Sequence, residues 1–165
     1  MPNPYTGTVA VALRKSQLLL ESEPAGDLHR VALQDAVVLQ LWLAYRAFLC
    51  ELGHQLQLGA EPESPEQLAR ALGARGMASA EAAELLSLAE DRESWLAGLE
   101  AAWQQLWQFS GGSATGAGGA GSPTQVIPLR DLGRQPPVPD LPALRVWRES
   151  LAELVRRQRA HMEEC

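Results

Sequence analysis

Between Asp27 and Leu56 the chain runs for about 30 residues without a proline, and no other segment constrains the fold as strongly. As a helix this run would be about 45 Å long. Val31, Val38, Leu41, Trp42, Tyr45, Leu49, Leu52 and Leu56 recur at spacings of three, four and seven, the mark of one apolar helical stripe. Val37, Leu39, Leu43 and Phe48 widen that stripe, which predicts burial on more than one side and a central place in the core. Gln34, Asp35, Gln40, Arg46 and Glu51 interrupt it, so it reads as the core helix of a soluble protein rather than a membrane span.

The flanking segments carry the same period. Thr8 to Glu21 predicts a first helix, closed by Glu23-Pro24-Ala25-Gly26, and Asp27 is suited to cap the long one. Ser64-Pro65-Glu66-Gln67 is a capping box with proline at the first helical position, opening a short helix that ends near Leu72. Ser79 can cap a helix over 80–90, and Asp91 a further one from Arg92 to about Phe109, with Trp95, Leu99, Ala102, Trp103 and Leu106 on one side. A last helix runs from about Leu141 to His161, its apolar side made by Leu144, Trp147, Leu151, Leu154, Val155 and Met162. The expectation is an all-α, irregular bundle of about six helices with a long central second helix and a Gly-rich loop before the last. A helical core over 1–109 is followed by a flexible segment over 110–143, with a short extended stretch at 124–129. A C-terminal helix over 144–165 is docked back on the core as part of one domain. Over Ser110–Ser122 the sequence is dominated by Gly, Ser, Ala and Thr, which bury too little surface to offset the entropy of ordering.

Composition narrows the function classes. A net charge of -6 disfavours a nonspecific grip on nucleic acid or anionic lipid without forbidding a local basic patch. Cys50 lies within the apolar run and Cys165 is terminal, a pairing that would pin a tail to a core helix. Reduced thiols and a cytoplasmic protein are therefore expected, and Met1-Pro2-Asn3-Pro4-Tyr5 carries no basic region leading into a long apolar stretch.

The residues that could carry chemistry are scattered. His29, His54 and His161 lie 25 or more positions apart, with neither a paired-histidine helix nor a Cys-x-x-Cys, so neither a metal nor another cofactor is expected. No Glu is followed by His three residues later, as a di-iron bundle would want. The glycines between 111 and 121 lack the register of a phosphate loop, and no serine sits in a nucleophile elbow. Arg156 and His161 do match the Arg-(x)4-His spacing of a helical ribonuclease family associated with toxins and RNA defence. That resemblance implies Arg156 stabilising phosphate charge and His161 acting as general acid or base. On an ideal helix, however, five residues leave the two side chains about 140° apart. A solvated basic turn is the simpler reading.

Of the five tryptophans, Trp42, Trp95 and Trp103 fit the apolar stripes and are expected in the core. Trp107 and Trp147 flank the Gly-rich segment in sequence, and with Arg145 and Arg148 they are the candidates for an interface or ligand site. Tyr5-Thr6, the long apolar second helix, Glu93-Ser94-Trp95-Leu96 with Leu99, and the late run Val126-Ile127 together resemble an uncharacterised family of small helical proteins from pseudomonads and related bacteria. The similarity spans residues 5–130, and the Gly-rich insert and Arg-rich tail depart from it. It implies a compact bacterial helical domain and no particular activity. The expected function is a non-catalytic helical interaction or regulatory protein whose partner is a second copy or an unidentified protein, with no membrane partner. RNA binding or cleavage through Arg156 and His161, and a small-molecule pocket between Trp-bearing helices, are the alternatives.

Overall fold

Six helices follow one another along the chain: α1 (Thr6–Glu21), α2 (Asp27–Gln55), α3 (Pro65–Gly73), α4 (Ala80–Glu90), α5 (Trp95–Leu106) and α6 (Leu141–Glu163). The structure is a computed structural model, and it describes residues 2–108 and 138–163 apart from the side chains of 161–163. No strand occurs among the described residues. The Gly-rich loop and the extended stretch expected at 124–129 lie outside them.

Local chemistry sets the boundaries. Ser64, Ser79 and Ser94 each accept a hydrogen bond from the backbone N–H three residues on, opening α3, α4 and α5. The Gln67 side chain completes the box at α3 by accepting from the Glu63 N–H at 3.0 Å. The helix expected to start at Arg92 begins instead at Trp95. Asp91 turns its carboxylate to the N–H of Glu93 at 2.9 Å, forming an Asx turn, and leaves the cap to Ser94. α6 starts at Leu141, where the sequence places it. Asp140 accepts from the Ala143 N–H at 2.8 Å, and Pro142 sits in the first turn, where a missing N–H costs nothing. The end of α2 is a Schellman motif: the Leu58 N–H reaches the Gly53 carbonyl and the Gln57 N–H that of His54, with Gln57 at φ 52°. Arg75 donates to the Gln57 carbonyl and, at 2.7 Å, to that of Leu58, which holds the turn from outside.

α1 and α2 form an antiparallel hairpin, and α5 and α6 pack on its inner side. α3 and α4 form a smaller pair against α2 and α5. Leu41, Phe48, Leu49 and Leu52 of α2 meet Leu96 and Leu99 of α5 and Leu144, Leu151 and Leu154 of α6 in one core. Each of those leucines contributes about 1.5–3 kcal/mol by leaving water. The widened stripe of α2 is not buried all round. Leu39 and Leu43 are exposed, because α1 and α5 flank α2 without meeting over its outer side.

A buried carboxylate sits in this apolar body. Glu51 of α2 is 1% exposed and takes two hydrogen bonds from Arg159 of α6, at 3.0 and 2.9 Å. The Thr6 hydroxyl donates to the same carboxylate at 3.0 Å, and Arg159 also reaches the Thr6 carbonyl. One pair thus ties the start of α1, the end of α2 and the end of α6. Removing one partner would leave the other charge buried without compensation. Glu51→Leu is expected to lower stability by about 3 kcal/mol, because Arg159 keeps some solvent contact. The double variant Glu51→Leu/Arg159→Met should return most of that loss. Urea unfolding of the two variants beside wild type checks both statements.

Candidate functional site

The arginines of α6 were expected to leave Arg145 and Arg148 available to a ligand, yet both grip α1. Arg145 donates to the Leu20 carbonyl at 2.9 Å, and Arg148 to the Leu13 carbonyl at 3.4 Å and the Gln17 side chain at 3.1 Å. The Leu20 carbonyl belongs to the last turn of α1, where helix geometry leaves carbonyls without partners. Arg157 forms a two-bond pair with Glu84 of α4 at 2.7 and 3.2 Å. Arg156 is exposed and similarly engaged by Glu153, at 2.8 and 2.6 Å, on its own helix. A groove between α1 and α6 gathers Arg14, Arg148, Arg156 and Arg159, and the last three already hold protein acceptors. The side chain of His161 lies outside the described residues, so the Arg156–His161 pair has no geometry to report.

Trp147 is half-buried and packs against α5 at Gly98. A Cβ built at Gly98 would stand 2.6 Å from its ring, so only glycine lets the indole approach that closely. Trp107, at the other border of the glycine-rich segment, is 59% exposed. It closes an aromatic ladder. Its ring meets Trp103 edge-on at 5.4 Å, and Trp103 stacks on Trp42 at 5.3 Å with 9° between planes. Trp42, Trp95 and Trp103, expected in the core, are half-buried at its border and packed against it.

The ladder runs into the outer side of the α1–α2 hairpin. Leu28 (84% exposed), Leu39 (38%) and Leu43 (44%) lie along α2, and Val11 and Leu18 are exposed on α1. Two charges interrupt this apolar strip. Asp35 has no ion-pair partner among the described residues, and burial alone pushes its carboxyl above the usual range. Arg46 donates one N–H to the Glu63 carbonyl and faces no carboxylate partner among the described residues.

At the far end of the same helix lies a cleft of about 760 Å³, lined among others by Tyr5, Cys50, His54 and Glu61. Tyr5 donates its hydroxyl to Glu61 and meets the His54 ring edge-on at 6.3 Å. Gly53 forms its floor, because a Cβ there would stand 2.7 Å from the Pro62 ring. The hydrogen bond to Glu61 pushes the Tyr5 hydroxyl up to about 12, and burial pushes the Cys50 thiol up as well. Both nucleophiles are therefore held in their neutral forms, the opposite of what covalent catalysis needs. Nothing in the sequence announces this cleft beyond Cys50 and His54 being four residues apart on one helix face, since Tyr5 and Glu61 come from remote segments.

Two outcomes follow from these contacts. Because the folded state keeps Tyr5 protonated, its contribution to stability is complete below pH 10 and is lost as pH rises toward 12. Ultraviolet titration should show no tyrosinate forming near pH 10 in the wild type, whereas Glu61→Gln should return one tyrosine toward that value. Gly98→Ala should cost about 1–3 kcal/mol by overpacking. Thermal unfolding should show Trp147→Phe recovering part of that loss in the double variant.

Comparison with known proteins adds the family. A model described as a family of unknown function (DUF6586) matches residues 10–165. No curated protein and no solved structure matches the chain. The matched range includes the residues of the Gly-rich segment and the Arg-rich final helix. The chain belongs to the family of unknown function DUF6586.

Proposed function

We propose that this protein is a non-catalytic helical interaction protein, and that its working surface is the outer side of the α1–α2 hairpin with the adjoining tryptophan ladder. The observation that carries the reading is the row of exposed Leu28, Leu39 and Leu43 on the longest helix, continued by Trp107. Single exposed apolar residues are ordinary, but several at helical spacing on one face of α2 are what an interface presents before its partner arrives. The neutral Tyr5 and Cys50 favour binding over covalent chemistry in the cleft. Arg157 and Arg159 are neutralised by Glu84 and Glu51, and Arg145 and Arg148 commit N–H donors to α1, which leaves α6 fewer groups for a phosphate backbone. A cytoplasmic setting accords with Cys50, which is a free thiol.

Affinity capture with full-length bait tests the reading. Wild-type bait should retain a protein partner in near-stoichiometric amount, a second copy included. The Leu43→Glu/Trp107→Ala bait should lose it, and an Arg157→Ala bait should keep it. Equal recovery on all three baits would place the working surface elsewhere.

A further inference from the structure

The two ends of α2 complement each other. Among the large apolar side chains of the described residues, Leu28 at its start is the most exposed, at 84%, next to the turn of the α1–α2 hairpin. The cleft beside His54 lies at its other end. Between them Asp35 and Arg46 offer opposite charges without an ion-pair partner among the described residues, and Leu39 and Leu43 occupy the middle. Leu28 and His54 are equidistant from residue 41, as are Leu39 and Leu43; the midpoint of Asp35 and Arg46 falls half a residue away. Half a residue is about 0.75 Å of helix rise.

From this internal symmetry we infer that the outer face of the α1–α2 hairpin binds a second copy of the chain, with the two α2 helices antiparallel about a two-fold axis at the level of residue 41. The inference rests on the proposed interaction function and names its partner. In this arrangement Leu39 of each copy packs beside the second copy's Leu43. Asp35 approaches the second copy's Arg46, supplying each charge with the counter-ion it lacks within one chain. Leu28 reaches the second copy's cleft at His54, so an exposed leucine enters an open hollow. An axis across the helices also sets α1 against α1, which brings Val11 and Leu18 of the two copies into the same seam. A parallel pairing achieves none of this. It would set Asp35 against Asp35 and Arg46 against Arg46, and leave both Leu28 residues far from either cleft.

Ala32 and Cys50 provide a readout of register, because their midpoint is also residue 41. The chain carrying Cys165→Ser and Ala32→Cys should, on mild oxidation, form a covalent dimer whose digest links position 32 to Cys50. Sedimentation velocity of the uncrosslinked Cys165→Ser chain should show a dimer. Leu39→Glu, at an exposed position that leaves the monomer's helix content unchanged by circular dichroism, should convert it to monomer. Asp35→Arg should weaken the dimer by at least about tenfold through like-charge contact. Asp35→Arg/Arg46→Asp should restore it to within about threefold if the two charges meet.

A monomer at high protein concentration, a dimer indifferent to Leu39→Glu, or a crosslink joining 32 to 32 would each overturn the antiparallel pairing. If the chain is monomeric yet the wild-type face still retains a different protein that Leu43→Glu/Trp107→Ala loses, the second-copy inference fails and the proposed function stands. If the chain is monomeric and retains nothing, both fail.

Discussion

The pair between Glu51 and Arg159 decides how this chain closes. A carboxylate that is 1% exposed within an apolar helix is costly unless its hydrogen bonds are filled, and only α6 brings a guanidinium to it. Its position fixes the register of α6 against α2. Once that register is set, Arg145 meets the end of α1, Arg148 meets its middle, and Arg157 meets Glu84 on α4. The Arg157–Glu84 pair is solvent-exposed and worth at most about 1 kcal/mol, and the part-buried hydrogen bonds of Arg145 and Arg148 each contribute about 1.5–3 kcal/mol. Orphaning one charge of the buried pair costs about 3 kcal/mol or more, the largest single penalty among the contacts through which α6 docks.

Docking on one side defines what is left on the other. α6 and α5 cover the inner side of the α1–α2 hairpin, and α3 with α4 extend that layer. Nothing among the described residues lies over the outer side, where α2 still presents leucines. The apolar strip is thus the complement of the core. Among the described residues, this 29-residue helix is covered on its inner side, and Leu28, Leu39 and Leu43 stay exposed. By length and composition α2 could cross a membrane, but 67% of its apolar window is buried within the protein, in keeping with a core helix.

Much of the fold was legible because helix signals are local. Ser64, Ser79 and the three-four spacing of α2 announced their elements directly, and six helices with a long second one follow from them. The start of α5 was harder, since Asp91 and Ser94 are both good caps and an Asx turn competes with helix initiation. Functional placement was less legible because it depends on tertiary partners. An arginine-rich helix looks like a ligand surface until Arg145, Arg148, Arg157 and Arg159 each find an acceptor on another helix. Trp147 looks like spare aromatic surface until Gly98, 49 positions earlier, proves to be the place it packs against. Tyr5 and Glu61 are 56 residues apart, and no spacing rule could have joined them.

The central claim is that α6 is an integral part of one cooperative unit, fastened through Arg159, and leaves the hairpin's outer face as the free apolar surface. Native-state hydrogen exchange addresses it most directly. The account predicts that core amides of α6 over 144–158 exchange only with those of α2 over 37–52, at the same free energy and with the same dependence on denaturant. Exchange of α6 through a separate, lower-energy opening while α2 stays protected would contradict it.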